Sequence, residues 1–90
     1  MLTAASRNAL KAKAHKLDPV VHVGAKGLTD EVIAEIDRAL QAHELIKVRA
    51  ASLDRHAREE AFGRMAEKTQ AEPVQHIGKV FVLFRKKKDE

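Results

Sequence analysis

Gly24-Ala25-Lys26-Gly27 is the stretch of this chain whose residue types and spacing could do chemistry. Two glycines three positions apart reach positive φ values and lack the Cβ atoms that block a close approach. Ala25 keeps the tip of the loop small. Lys26 adds a movable cation with three donors. The loop leads into a helix start, where free N–H groups and the helix dipole favour an anion such as phosphate. Asp30 and Glu31, just downstream, already place negative charge there.

Other chemistries fit poorly. A Walker A element needs four residues between its glycines and then Lys-Ser/Thr, and a dinucleotide fingerprint needs a third glycine. A G-x-x-G loop that opens a helix is instead how KH domains clamp a nucleic-acid backbone. That spacing is common, and many such loops are plain turns. The histidines His15, His22, His43, His56 and His76 show no metal-ligand spacing, and there is no Cys to complete one. Ser52, Asp54 and His56 cluster at a helix start, where Ser and Asp ordinarily act as caps. No acid, base and nucleophile converge, so no catalytic residue, metal ligand, cofactor or small-molecule substrate is assigned, and the chain is not read as an enzyme. His22 and His76 fall in strands and read as packed or edge histidines. Phe81 and Phe84 could stack on bases, but their strand positions favour a core.

The elements that must position the loop follow from periodicity. Thr3–Lys16 reads as a helix capped by Thr3, with Leu10, Ala14 and Leu17 as a thin apolar stripe and Arg7, Lys11 and Lys13 on its other face. Pro19 pushes Asp18 out of the α region and ends it. Val20–Val23 is a short strand. Thr29 caps a second helix to about Ala42, whose Val32, Ile33, Ile36 and Leu40 keep helical spacing. Leu45–Ala50 alternates, with Ile46, Val48 and Ala50 on one face and Lys47 and Arg49 on a wet, basic face. A third helix starts at Ser52 or Asp54 and runs to about Lys68, burying Leu53, Ala57, Ala61, Phe62, Met65 and Ala66. Gly63 within it costs about 1 kcal/mol relative to Ala. Val74–Ile77 and Val80–Phe84 form a hairpin across Gly78-Lys79. The order α-β-α-β-α-β-β predicts an α/β fold: a four-stranded mixed sheet with helices mainly on one face.

Composition bounds the rest. The chain forms one domain, placed at residues 1–85, with a basic C-terminal tail at 86–90, and the basic run Arg85–Lys88 reads as solvated. There is no Trp or Tyr and only three Phe, which favours backbone and shape readout over a base-stacking platform. No apolar run nears the roughly 20 residues of a membrane span. Met1–Lys16 has the Arg/Ala/Ser look of a transit peptide but also reads as an ordinary helix, and a soluble cytoplasmic protein is expected. The net charge of +4 is uneven. Arg7, Lys11, Lys13, Lys16 and Lys26 face only Asp18 in the first 27 residues, residues 28–72 are acidic on balance, and the C-terminal end is basic again. Such separation points to an anionic partner touching one region.

Three ordered stretches together carry a family pattern. Pro19-Val20-Val21-His22-Val23-Gly24-Ala25-Lys26-Gly27-Leu28-Thr29, then His43-Glu44-Leu45-Ile46-Lys47-Val48, then Val74-Gln75-His76-Ile77-Gly78-Lys79 ending in Val82-Leu83-Phe84-Arg85 resemble the CRM domain (chloroplast RNA splicing and ribosome maturation). A free-standing domain of this size is similar to the bacterial YhbY-type members. The resemblance implies a fold like the C-terminal domain of translation initiation factor three, RNA binding, and association with precursors of the large ribosomal subunit. It also implies that Gly24, Ala25, Lys26 and Gly27 contact RNA. Three departures stand out: Asp18 where a basic residue is common, beside the expected site; His76 for an apolar strand residue; and Phe84 for Tyr.

The expected function is therefore binding of ribosomal RNA during ribosome assembly by a monomer. Gly24, Ala25, Lys26 and Gly27 meet the backbone, while Lys47, Arg49, Arg7 and Lys11 extend the phosphate track. The alternative is a protein-interaction module that docks on a ribosomal protein or assembly factor through the apolar last strand.

Overall fold

A computed structural model describes residues 2–87 and gives the elements α1 (Ala4–Ala14), β1 (Val21–His22), α2 (Asp30–His43), β2 (Leu45–Arg49), α3 (Arg55–Thr69), β3 (Glu72–Ile77) and β4 (Val80–Phe84). Lys88 and the rest of the tail beyond it lie outside the described residues. The order is the expected one, and the four strands form one mixed sheet.

Local capping sets the helix starts. Thr3 Oγ1 accepts from the Ser6 N–H at 3.0 Å, Thr29 Oγ1 from the Val32 N–H at 3.2 Å and Asp54 Oδ1 from the Ala57 N–H at 2.8 Å. Each satisfies an N–H that the first turn leaves unpaired. Asp54, not Ser52, is the cap of α3. At the other end of that helix Gln70 takes a left-handed φ of 56°.

The strands lie in the order β1-β2-β4-β3. β1 runs parallel to β2, with Val21 opposite Val48 and His22 opposite Arg49. β4 is antiparallel to both β2 and β3, so it separates two strands that point the same way. β4 is therefore interior, with both edges paired. That corrects the idea that the apolar last strand offers a docking surface: its apolar character reflects burial from two sides. β3 starts two residues earlier than Val74, because an edge strand tolerates Pro73. A bulge follows, in which the chain moves from Pro73 to Gln75 while β4 moves one residue, from Leu83 to Val82.

Two apolar layers hold the sheet. α2 and α3 cover one face, where Ile36, Leu40 and Met65 bury against Val21, Ile46, Val48, Phe81 and Leu83. Each such side chain contributes about 1.5–3 kcal/mol through burial. α1 lies on the opposite face, where Ala14 packs with Val74 and Val82, and Leu10, Leu45 and Phe84 close around them. Phe81 is fully buried between Phe62, stacked at 5.0 Å, and His76, edge-on at 4.6 Å. His76 thus fills its apolar position as a ring, and its Nε2 lies 3.0 Å from the Gly78 carbonyl oxygen.

The start of the basic run is not a solvated tail. The Arg85 N–H donates to Glu44 O at 2.8 Å, and the Lys87 N–H donates to Glu44 Oε2 at 2.7 Å. The Arg85 guanidinium bonds α2 and the end of α3. Charge alone reads this run as solvated, because its partners are distant in sequence.

Candidate nucleic-acid interface

The loop is a tight turn hung on the end of β1. The Val23 N–H donates to Arg49 O at 2.7 Å, which fixes the residue before Gly24 against β2. The Gly27 N–H then donates to Gly24 O at 3.0 Å, and the Thr29 N–H donates to Gly27 O at 3.1 Å. Gly27 has φ +77°, a conformation that L side chains rarely adopt. Gly24 lies outside that region, and a Cβ placed there would meet nothing within 4 Å. The fold therefore requires glycine at 27 but not at 24. Gly24, Ala25 and Lys26 are exposed.

A hollow beside the turn is lined by Gly24–Gly27 together with Thr29, Asp30, Glu31 and Val32. Two acidic residues thus share the recess with Lys26. The Thr29 hydroxyl already occupies one of the N–H groups at the start of α2. The helix start is therefore a poorer phosphate site than its position alone implies.

The remaining expected residues group on the other side of the sheet. Ile46, Val48 and Ala50 are buried under α2 and α3, so the alternating Lys47 and Arg49 fall on the face that carries α1. Arg49 is exposed and Lys47 half-buried. Arg7 and Lys11 are half-buried on α1, which packs against that same face. The Arg7 Nε is buried without a hydrogen-bond partner. Lys47 and Arg49 thus share one face of the sheet, the helix that carries Arg7 and Lys11 packs on that same face, and the turn lies at the rim next to Arg49.

Asp18 is not beside the turn. It precedes β1 while Gly24 follows it, and it lines a separate apolar hollow with Leu10, Leu17, Val20, Leu45 and Phe84. Phe81 is in the core, and Phe84 packs beneath α1. His22, read from the sequence as a packed or edge histidine and left out of the expected site, lies on edge strand β1, exposed and paired in register with Arg49. The signal for it is the flanking pair Val21 and Val23, both buried, which turn His22 to the basic face. Among the described residues, no three His, Cys, Asp or Glu are placed to hold a metal ion, and no helix is long and apolar enough to cross a membrane.

Comparison with known proteins assigns the family. The model of the CRS1/YhbY (CRM) domain matches residues 2–85. The chain is 44% identical over 84 residues to an RNA-binding protein of Haemophilus influenzae, which spans 93% of this chain and 85% of that one. It is 34% identical over 89 residues to the probable RNA-binding protein YqeI of Bacillus subtilis, over 99% and 93% of the two chains. A solution structure of a Staphylococcus aureus protein superposes with a TM-score of 0.86 at 34% identity, over 99% of this chain and 93% of that one. With the family pattern and the fold both matched over nearly its whole length, this chain belongs to the CRS1/YhbY (CRM) domain family.

Proposed function

We propose that this chain is an RNA-binding protein that binds ribosomal RNA in precursors of the large ribosomal subunit. It acts as a cytoplasmic monomer during ribosome assembly, with no catalytic role. Relatives named as RNA-binding proteins support the first part, and the family resemblance supports the second. The observation that carries the reading is the exposed Gly24–Gly27 turn, open around Gly24 and fixed beside exposed Arg49. Gly24 lets a sugar-phosphate backbone approach, Lys26 supplies charge, and Lys47, Arg49, Arg7 and Lys11 extend the track.

Crosslinking the protein to RNA in cells and mapping the sites tests this function. Enrichment on precursor large-subunit RNA is expected, and crosslinks scattered without such enrichment count against the assembly role. A second reading, docking on a ribosomal protein or assembly factor, draws on the apolar hollow where Leu17 and Val20 are 39% and 47% exposed. A pull-down repeated after nuclease treatment separates the two, because protein docking survives loss of RNA.

A further inference from the structure

We infer that RNA passes from the Gly24–Gly27 turn onto the open part of the sheet as a single strand, crossing His22, Arg49, Val80 and Ile77. The inference rests on the RNA-binding reading above and adds to it the path and the strandedness of the ligand.

Register places these four residues in one row, one from each strand. His22 pairs with Arg49, Arg49 with Val80, and Val80 with Ile77. At about 4.8 Å between neighbouring strands, the row is about 14 Å long. Its residues point away from α2 and α3, because the adjacent Val21, Val48 and Phe81 are buried beneath the sheet. α1 covers a different part of this face, around Leu45, Val82 and Phe84. The row is open at both ends and shallower in the middle: His22 and Arg49 are exposed, Ile77 is 62% exposed, and Val80 between them is half-buried.

Its chemistry is graded from end to end. Arg49 places a cation at the β1–β2 end, beside the turn, with Lys47 two residues before it and the His22 ring alongside. At the β4–β3 end the row itself is apolar, and the exposed Lys79 lies in the turn that joins Ile77 to Val80. A single strand matches that gradient, with a phosphate at Arg49, the neighbouring His22 ring donating a hydrogen bond, and base faces in apolar contact with the aliphatic Val80 and Ile77. A duplex keeps its bases stacked inside and gives Ile77 nothing apolar to contact. Glu72 is the sole acidic residue in the strands, and it pairs with Phe84, away from this row. The other route from the turn, over the start of α2, passes Asp30 and Glu31, whose charge opposes a phosphate.

The test measures fluorescence anisotropy with a labelled single-stranded RNA of about 12 nucleotides and with the same strand annealed to its complement. The unmodified protein should prefer the single strand. Ile77→Ser should weaken single-strand binding about three- to tenfold through lost apolar contact and leave duplex binding unchanged, and His22→Gln should weaken it about two- to threefold through the lost ring contact. Asp30→Asn with Glu31→Gln should bind as tightly as the unmodified protein or more tightly, because two opposing charges leave the recess beside Lys26, and a loss of affinity would instead place RNA over the start of α2. Urea unfolding of each variant checks that the fold is retained. The path is overturned if Ile77→Ser and His22→Gln bind normally while Lys26→Gln and Gly24→Leu bind weakly. Preference for the duplex, or an equal loss on both RNAs in Ile77→Ser, overturns the single-strand assignment. An unmodified protein that binds neither RNA removes the RNA-binding reading itself, and this inference with it.

Discussion

Arg85 grips Asp37 twice, donating from Nη1 to Oδ1 at 2.6 Å and from Nη2 to the main-chain carbonyl at 3.0 Å. The same Nη1 also donates to Thr69 O at 2.7 Å. One guanidinium therefore ties the end of β4 to the middle of α2 and the last residue of α3. The Arg85 side chain is 22% exposed and that of Asp37 44%, so solvent weakens the charge pair, and the two bonds to main-chain carbonyls add to it from a part-buried position. Arg85→Ala should cost about 1–2 kcal/mol, read as a lower urea midpoint with unchanged slope. Arg85→Lys should recover only part of this, because an ammonium cannot reproduce the planar fork. An Arg85→Ala midpoint equal to that of the unmodified protein would show that the grip adds nothing.

The two loop glycines should separate by experiment. Gly27→Ala forces a Cβ into a left-handed conformation and should lose about 1 kcal/mol of stability. Gly24→Leu meets open space and should leave the unfolding midpoint nearly unchanged while lowering RNA affinity. If Gly24→Leu binds RNA as tightly as the unmodified protein, the backbone does not approach at Gly24.

Phosphate contacts predict a salt signature. Lys26→Gln and Arg49→Gln should each lower affinity about equally across RNA sequences and reduce the slope of log affinity against log salt by about 1. Titrations at several salt concentrations measure that slope. A variant whose affinity falls without a change in slope has lost something other than a phosphate contact.

Phe81→Ala should be severe. Phe81 is fully buried, with Phe62 stacked on one side and His76 edge-on at the other. Its loss should cost about 3–5 kcal/mol through a cavity in the main core. That is much of the stability available to a domain of this size, so loss of the cooperative thermal transition is the expected readout.

What the sequence reveals here is set by range. The caps Thr3, Thr29 and Asp54, the spacing of Ile36 and Leu40, and the alternation around Lys47 and Arg49 are local, and each is visible before any coordinates. The turn Gly24–Gly27 is equally plain as a motif. Its electrostatic surroundings are not, because Lys47 and Arg49 lie across the sheet from α2 while Asp30 and Glu31 share its hollow. Partners distant in sequence stay hidden. Nothing near Arg85 announces Asp37, nothing near His22 announces Arg49, and the place of β4 between β2 and β3 depends on pairing that no periodicity encodes. Pro73 conceals the start of β3 for a related reason: only the sheet order makes it an edge strand.

The interior position of β4 has a consequence for how the molecule is made. Synthesis delivers β1, α2 and β2 first, which hold both strands of the parallel pair. β3 follows but has no neighbour, because its sole partner in the sheet is β4. Until Val80–Phe84 leaves the ribosome, β2 and β3 each expose an unpaired edge, which is a hazard for association with other chains. Completion of the sheet therefore waits on the last strand, and the Arg85 grip that locks it arrives one residue later. A nascent chain stalled with Lys79 just emerged should be protease-sensitive. One stalled after Lys87 has cleared the exit tunnel should be resistant.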